Sequence, residues 1–226
     1  MGELSLKLTN MYLYLYSVAK ETPAIIAEHL HHPDFPLLLQ QFLYTQLASN
    51  PNAPSIDGVP QSCLPPIHPH ALPLSIYHSA VATFFAPCDL SGIGSMCHEH
   101  IRAIPSWQKG LLHFDTILVS TDQQLQGMRG LDVAHVRLFF SFTYENTEYP
   151  CALIDWYGFS DTPDKDMDMW IVKPVWGHST IIHLAMILWC AHLIPVFGLH
   201  YIDRSLKLTF NDSLDAFSNY CYGSTW

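Results

Sequence analysis

The sequence predicts an α+β fold: a small curled antiparallel sheet or SH3-like barrel over about residues 115–200, preceded by N-terminal helices and a proline-rich linker. Three observations predict it. Residues 127–174 hold three apolar, β-prone runs separated by polar turns: Val133–Tyr144, Tyr149–Tyr157 and Met169–Pro174. Leu38, Leu39, Phe42 and Leu43 recur at helical spacing. Seven prolines fall within the 24 residues from Asn50 to Pro73.

Taken in order, residues 4–18 satisfy two patterns. Leu4, Leu6 and Leu8 alternate like a strand, whereas Leu8, Met11 and Leu15 fit a helix. Pro23 opens a short apolar turn, Ala24–Leu30. Asp34 is placed to cap a helix over 34–48, with Pro36 in the first turn, where a missing N–H costs little. Proline removes backbone donors and fixes φ, so 50–73 reads as a linker. The chain then divides into a helical element (1–49), that linker (50–73) and a β-rich domain (74–226).

Within the β-rich domain, Ser75–Pro87 reads as a strand or buried segment, Ser91–Gly94 as a turn and Met96–Ile104 as a short helix. Phe114–Ser120 reads as a strand. Glu145–Glu148 is the hairpin turn between the next two runs. Alternation puts Val133, His135, Arg137, Phe139 and Ser141 on one face of the first run. Val136, Leu138, Phe140 and Phe142 fall on the other, the expected core face, buried together with Ala152, Ile154 and Trp170. Ser160–Met167 is an acidic loop. Ile181–Leu184 reads as a strand, Ala185–His192 as a helical turn and Ile194–Phe197 as a closing strand.

Composition narrows the function classes. Charged residues are 13%, about half the usual roughly 25%. A surface so poor in charge suggests contact with a partner, or a fragment cut from something larger. The formal net charge is −10, and no run of Lys or Arg exceeds one residue, which disfavours nucleic acid. The six cysteines form no CxxC pair, and the N-terminus lacks the layout of a secretory signal. Reduced thiols in the nucleus or cytoplasm are expected. Ile181–Leu199 is nearly free of charge over 19 residues. His183, His192 and Pro195 interrupt it, so a buried strand–helix–strand unit is expected and no membrane span.

Four groups of residues could carry chemistry. Cys88, Cys97, His98 and His100 offer thiolate and imidazole ligands suited to zinc, at a spacing that matches no common framework. Asp161, Asp164, Asp166 and Asp168 offer oxygen ligands without the Gly and Glu of an EF-hand, so a solvated turn is expected. His68 and His70 flank Pro69, with His78 close in sequence, and read as exposed residues. Asp155, beside Trp156 in a β run, is a candidate buried acid, although a strand-end carboxylate is more often exposed or paired. No nucleophile elbow, phosphate-binding loop, dinucleotide fingerprint or HExxH motif is present. No catalytic, cofactor-binding or metal-ligating residue is assigned, and no cofactor is expected.

Several segments together resemble the C-terminal region of fungal Plavaka-type transposases, of the CACTA-like group of DNA transposons. They are YHSAVATFFAPCDLSGIGSM (Tyr77–Met96), IRAIPSW (Ile101–Trp107), DTILV (Asp115–Val119), GMRGLDVAHVRLFFSFTYENTEYPCALIDWY, PDKDMDMWIVKP, IIHLAMILWCAHLIPVFG and SLDAF (Ser213–Phe217). The resemblance covers roughly Tyr77–Phe217 and more weakly the helix at 34–48. The family's RNase H-like catalytic core lies N-terminal to this region and has no counterpart in the chain, so no catalytic residue carries over. The chain departs from the family at Ala185, Met186 and Trp189, where an Asp–Thr pair and an Arg are usual, and at Cys88, where Ser is usual. The stretch SNYCYGSTW replaces the family's C-terminus. The resemblance implies an accessory module, SH3-like or bromo-adjacent-homology-like (BAH-like), of a kind that binds proteins or chromatin rather than performing chemistry; a protein partner and no enzyme activity are expected. It equally accommodates a degenerate mobile-element fragment. The alternatives are a nucleic-acid-binding accessory domain and, with least support, a metal-dependent hydrolase.

Overall fold

The computed structural model describes residues 10–13, 17–48, 59–85, 96–105, 112–122, 124–125, 130–160, 169–196, 217 and 219–222. From the N-terminus come β1 (Asn10–Leu13), β2 (Ala19–Glu21), α1 (Pro23–His29) and α2 (Phe35–Leu47). They are followed by β3 (Leu74–Tyr77), β4 (Ser79–Phe85), β5 (Met96–Ile104), β6 (His113–Phe114) and β7 (Thr116–Ser120). The remaining strands are β8 (Leu131–Tyr144), β9 (Thr147–Phe159), β10 (Trp170–His183), β11 (Ile187–Cys190), β12 (Ile194–Pro195) and β13 (Tyr220–Tyr222).

The strands pair antiparallel into two open sheets, and the fold is α+β. The smaller runs β1-β4-β5-β6. The larger runs β11-β7-β8-β9-β10-β13-β12, with β3 joined to β8 and β2 to β3. Neither closes into a barrel among the described residues. β8 is long enough to take two partners on one edge. β7 pairs with its first part (Thr116 opposite His135) and β3 with its later part (Tyr77 opposite Phe139). Among the described residues, no helix is long and apolar enough to cross a membrane.

Three layers result. Ala80, Ala82, Ile101 and Ala103 of the smaller sheet pack on Ile117, Val136, Phe139, Ala152, Ile154 and Ile182 of the larger. On the far face, Ile26, Phe35, Leu39, Phe42 and Leu43 of the helices cover Phe140, Phe142, Leu153 and Ile181. Phe35 meets Phe140 edge-on at 5.6 Å between ring centroids. Further along that far face, Leu118, Val133, Tyr157 and Val172 pack with Tyr220 and Tyr222.

The helix at 34–48 is present as α2, and Asp34 occupies its cap position without a side-chain cap bond. The apolar turn at Ala24–Leu30 is in fact helical, as α1 with Pro23 at its start. Met96–Ile104 is a strand, not a helix. Its inward residues Ile101 and Ala103 alternate with Arg102, and it pairs with β4 over seven positions. Ala185–His192 is likewise not a helical turn. A single 3-10 turn at Leu184–Met186 leads into β11, which finds its partner in β7. Ile181–Leu184 does not form a separate strand, because β10 runs unbroken through a bulge between Pro174 and Ser179. From the prolines, residues 61–73 contribute Leu64, Ile67 and Leu72, which are at least partly buried, and Gln40 donates to the Pro65 carbonyl at 3.2 Å.

The face assignment of β8 requires correction. A bulge between Val136 and Leu138 inserts Arg137 as an extra residue. Alternation therefore reverses there, since one added residue flips every later side chain. Val136 and Phe139 share the inter-sheet core with Ala152 and Ile154, while Phe140 and Phe142 face the helices. Both faces are covered, and Val133, Phe139 and Ser141 are buried rather than outward. Trp170 is half-buried against Phe159 and does not join that core. The hairpin turn is tighter than Glu145–Glu148: Tyr144 pairs with Thr147, leaving Glu145 and Asn146 at φ 48° and 63°. Two positive values at the centre identify a type I′ turn, which matches strand twist.

Candidate functional site

The register of the larger sheet sets four polar residues in one row across four strands. Thr116 of β7 stands opposite His135 of β8, His135 opposite Asp155 of β9, and Asp155 opposite Ser179 of β10. Directly opposed residues of antiparallel strands project to the same face. The row lies on the helix-bearing face, between the Phe140 cluster and the Tyr220 cluster.

Hydrogen bonds fix Thr116, Asp155 and Ser179. The Ser179 hydroxyl donates to Asp155 Oδ1 at 2.5 Å, and the Thr116 hydroxyl donates to the Ala191 carbonyl at 2.5 Å. Arg137 Nε lies 3.6 Å from Asp155 Oδ2, an ion pair longer than a hydrogen bond. The Arg137 guanidinium sits 5.6 Å from the centre of the Phe114 ring, within cation–π range. Phe114 also meets the His135 ring edge-on at 6.0 Å. Beside the row, Trp156 Nε1 donates to the Thr180 hydroxyl at 2.9 Å from the opposite face of β9.

A second polar group joins the two sheets. Glu99 of β5 accepts the Cys190 N–H at 2.9 Å and lies 3.8 Å from His192 Nε2. Asp115 accepts the Arg102 N–H at 2.7 Å and pairs with His113 Nε2 at 3.0 Å. Burial pushes the Cys190 thiol far above its usual range. The Glu99 and Asp115 carboxylates reinforce that rise, and Arg102 opposes it. Burial likewise pushes the Cys151 thiol well up. A cysteine nucleophile acts as thiolate, so both sulfurs are chemically quiet at neutral pH.

The residues singled out in the sequence distribute as follows. Asp155 is partly exposed and tied to Ser179 and Arg137. Cys97 and His98 are adjacent in β5 and so point to opposite faces, which keeps them from one ion. His98 Nδ1 lies 2.9 Å from the Thr83 hydroxyl, and His100 is exposed. His68 and His70 are exposed with ring centres 6.0 Å apart, the His70 N–H donating to His68 Nδ1 at 3.3 Å. His78 sits where the chain passes between the sheets, its carbonyl accepting the Ala103 N–H at 2.9 Å. Cys88, Asp161, Asp164, Asp166 and Asp168 lie outside the described residues.

Sequence reading missed Arg137, Ser179 and Glu99 as members of polar groups. One signal was available: Arg137 interrupts the run VRLFFSF, and a bulge accommodates a charge in such a strand. Ser179 and Glu99 carried no local signal, because their partners come from 24 and 91 residues away. Comparisons with protein-family models, curated proteins and solved structures find no match.

Proposed function

We propose that the chain is a non-catalytic accessory module of Plavaka-type, CACTA-like transposon origin, acting in the nucleus or cytoplasm by binding a protein partner. The observation that carries the non-catalytic part of this reading is how three reactive groups among the described residues are engaged. The Ser179 hydroxyl is committed to Asp155 rather than to a histidine base, and the Cys151 and Cys190 thiols are held protonated. Nucleophilic catalysis needs the reverse arrangement, with the hydroxyl or thiol activated by a neighbouring base or a lowered pKa. The antiparallel strands and the sequence resemblance support kinship with SH3-like or BAH-like binding modules, in open form.

The test is co-purification of the tagged chain with the catalytic region of a Plavaka-type transposase and with nuclear extract. Specific retention of a protein partner is expected. A folded chain that retains nothing overturns the reading. Titration with transposon-end DNA at low salt is expected to be flat, given the −10 charge; saturable, salt-sensitive binding favours a nucleic-acid module instead.

A further inference from the structure

We propose that Arg137 is a docking point for a single carboxylate group of the partner protein, a site that rests on the accessory-module reading and gives it a chemistry. Four basic residues fall among the described residues: Lys20, Arg102, Arg137 and Lys173. Lys20 and Lys173 are exposed on flexible stems. Arg137 differs because three features hold its guanidinium in place. The bulge between Val136 and Leu138 aims it out of the strand. The Phe114 ring lies under it at 5.6 Å. Asp155 stands 3.6 Å from Nε on one side.

That planar group carries five N–H donors, and no hydrogen-bond acceptor engages them among the described residues. The nearest carboxylate, Asp155, is turned to Ser179 through its other oxygen at 2.5 Å and stays beyond hydrogen-bond distance from Nε. The side chain is 40% exposed, so the donors are open to an incoming group. A pre-placed planar fork matches the two oxygens of a carboxylate. A phosphate dianion is disfavoured, because it brings a second charge beside Asp155 to a chain of net charge −10. A Glu, an Asp or a chain-terminal carboxylate supplies the same chemistry.

The test reads the Arg137 Nε–H signal by ¹⁵N NMR in the whole chain, titrated with sodium acetate and separately with inorganic phosphate at matched ionic strength. Saturable movement with acetate, weaker with phosphate, is expected. Asp155→Asn removes the competing charge and is expected to tighten acetate binding by about three- to fivefold, a change that a merely structural role would not produce. Phe114→Leu is expected to weaken it, with the amide spectrum confirming the fold. A linear, unsaturable shift, equal or tighter binding of phosphate, or no tightening in Asp155→Asn overturns the proposal. Peptides bearing one internal Glu with blocked ends, or only a free C-terminus, separate the two carboxylate sources. Should Arg137→Gln retain a captured partner at full strength, the accessory reading stands and the Arg137 site falls.

Discussion

Replacing Phe140 with Ala tests the corrected packing of β8. Phe140 is fully buried, lies edge-on to Phe35 of α2 and stacks beside Phe142 at 6.2 Å. Removing the ring loses its transfer energy and leaves a cavity between helix and sheet, at a cost of about 3–5 kcal/mol. For a chain of this length that corresponds to a fall in Tm of about 6–20 °C. Urea unfolding followed by far-UV circular dichroism measures it, alongside Phe35→Ala and the double variant. The Phe35–Phe140 pair should couple by about 0.5–1.5 kcal/mol, as edge-to-face aromatics do. Val136→Ala, on the other face of the same strand, should add independently to Phe140→Ala. A Phe140→Ala cost under about 1 kcal/mol, or strong coupling between Val136 and Phe140, refutes the bulge-dependent assignment.

Four further outcomes follow from local geometry and titration. Glu145→Asn places a residue suited to positive φ in the type I′ turn and should raise stability by about 0.5–1 kcal/mol in the same assay, because Glu145 sits at φ 48°. Gly130→Ala should destabilise the chain by about 1–3 kcal/mol, since an added Cβ would fall 2.1 Å from the Asp122 carbonyl oxygen. Partial burial lowers the His183 pKa below its ordinary 6.5, while its neutral Nδ1 accepts the Ala185 N–H. Protonation therefore favours the unfolded chain: this contribution is complete above pH 6.5 and is lost as pH falls through the lower folded value. Unfolding curves across that range should flatten in His183→Asn. At the alkaline end the sign reverses. Burial raises Cys151 above 9.0 and pushes Tyr222 up to about 12, so their stabilisation is present below the ordinary values and lost as pH rises through the folded ones.

Legibility in the sequence tracked the range of the interactions. Local signals sufficed for α2, whose apolar stripe and first-turn proline act within one helix, and for the hairpin around Asn146. They failed for β5, where Cys97–Ile104 lacks a clear period and pairing with β4 and β6 makes it extended. The same holds for β11, which is drawn out of a helical turn by β7 and by the Glu99 contact to Cys190. On β8 the alternation was visible, yet a single inserted residue inverted its meaning beyond Arg137. The polar row needed four strands in register before Thr116, His135, Asp155 and Ser179 became neighbours.

That row bears on how the protein comes apart. Apolar contacts propagate cooperativity only where they are continuous, and on the helix-bearing face they stop at His135, Asp155 and Ser179. The tyrosine-lined patch is therefore free to open while the helix-covered patch stays closed, by releasing Tyr220–Tyr222, which meets β10 at three register positions. Hydrogen exchange should resolve two protection levels along single strands, with amides near Val172 and Tyr157 exchanging before those near Ile181 and Leu153. One sheet would then carry two independently yielding halves, with the rim nearer the C-terminal strand as the softer one.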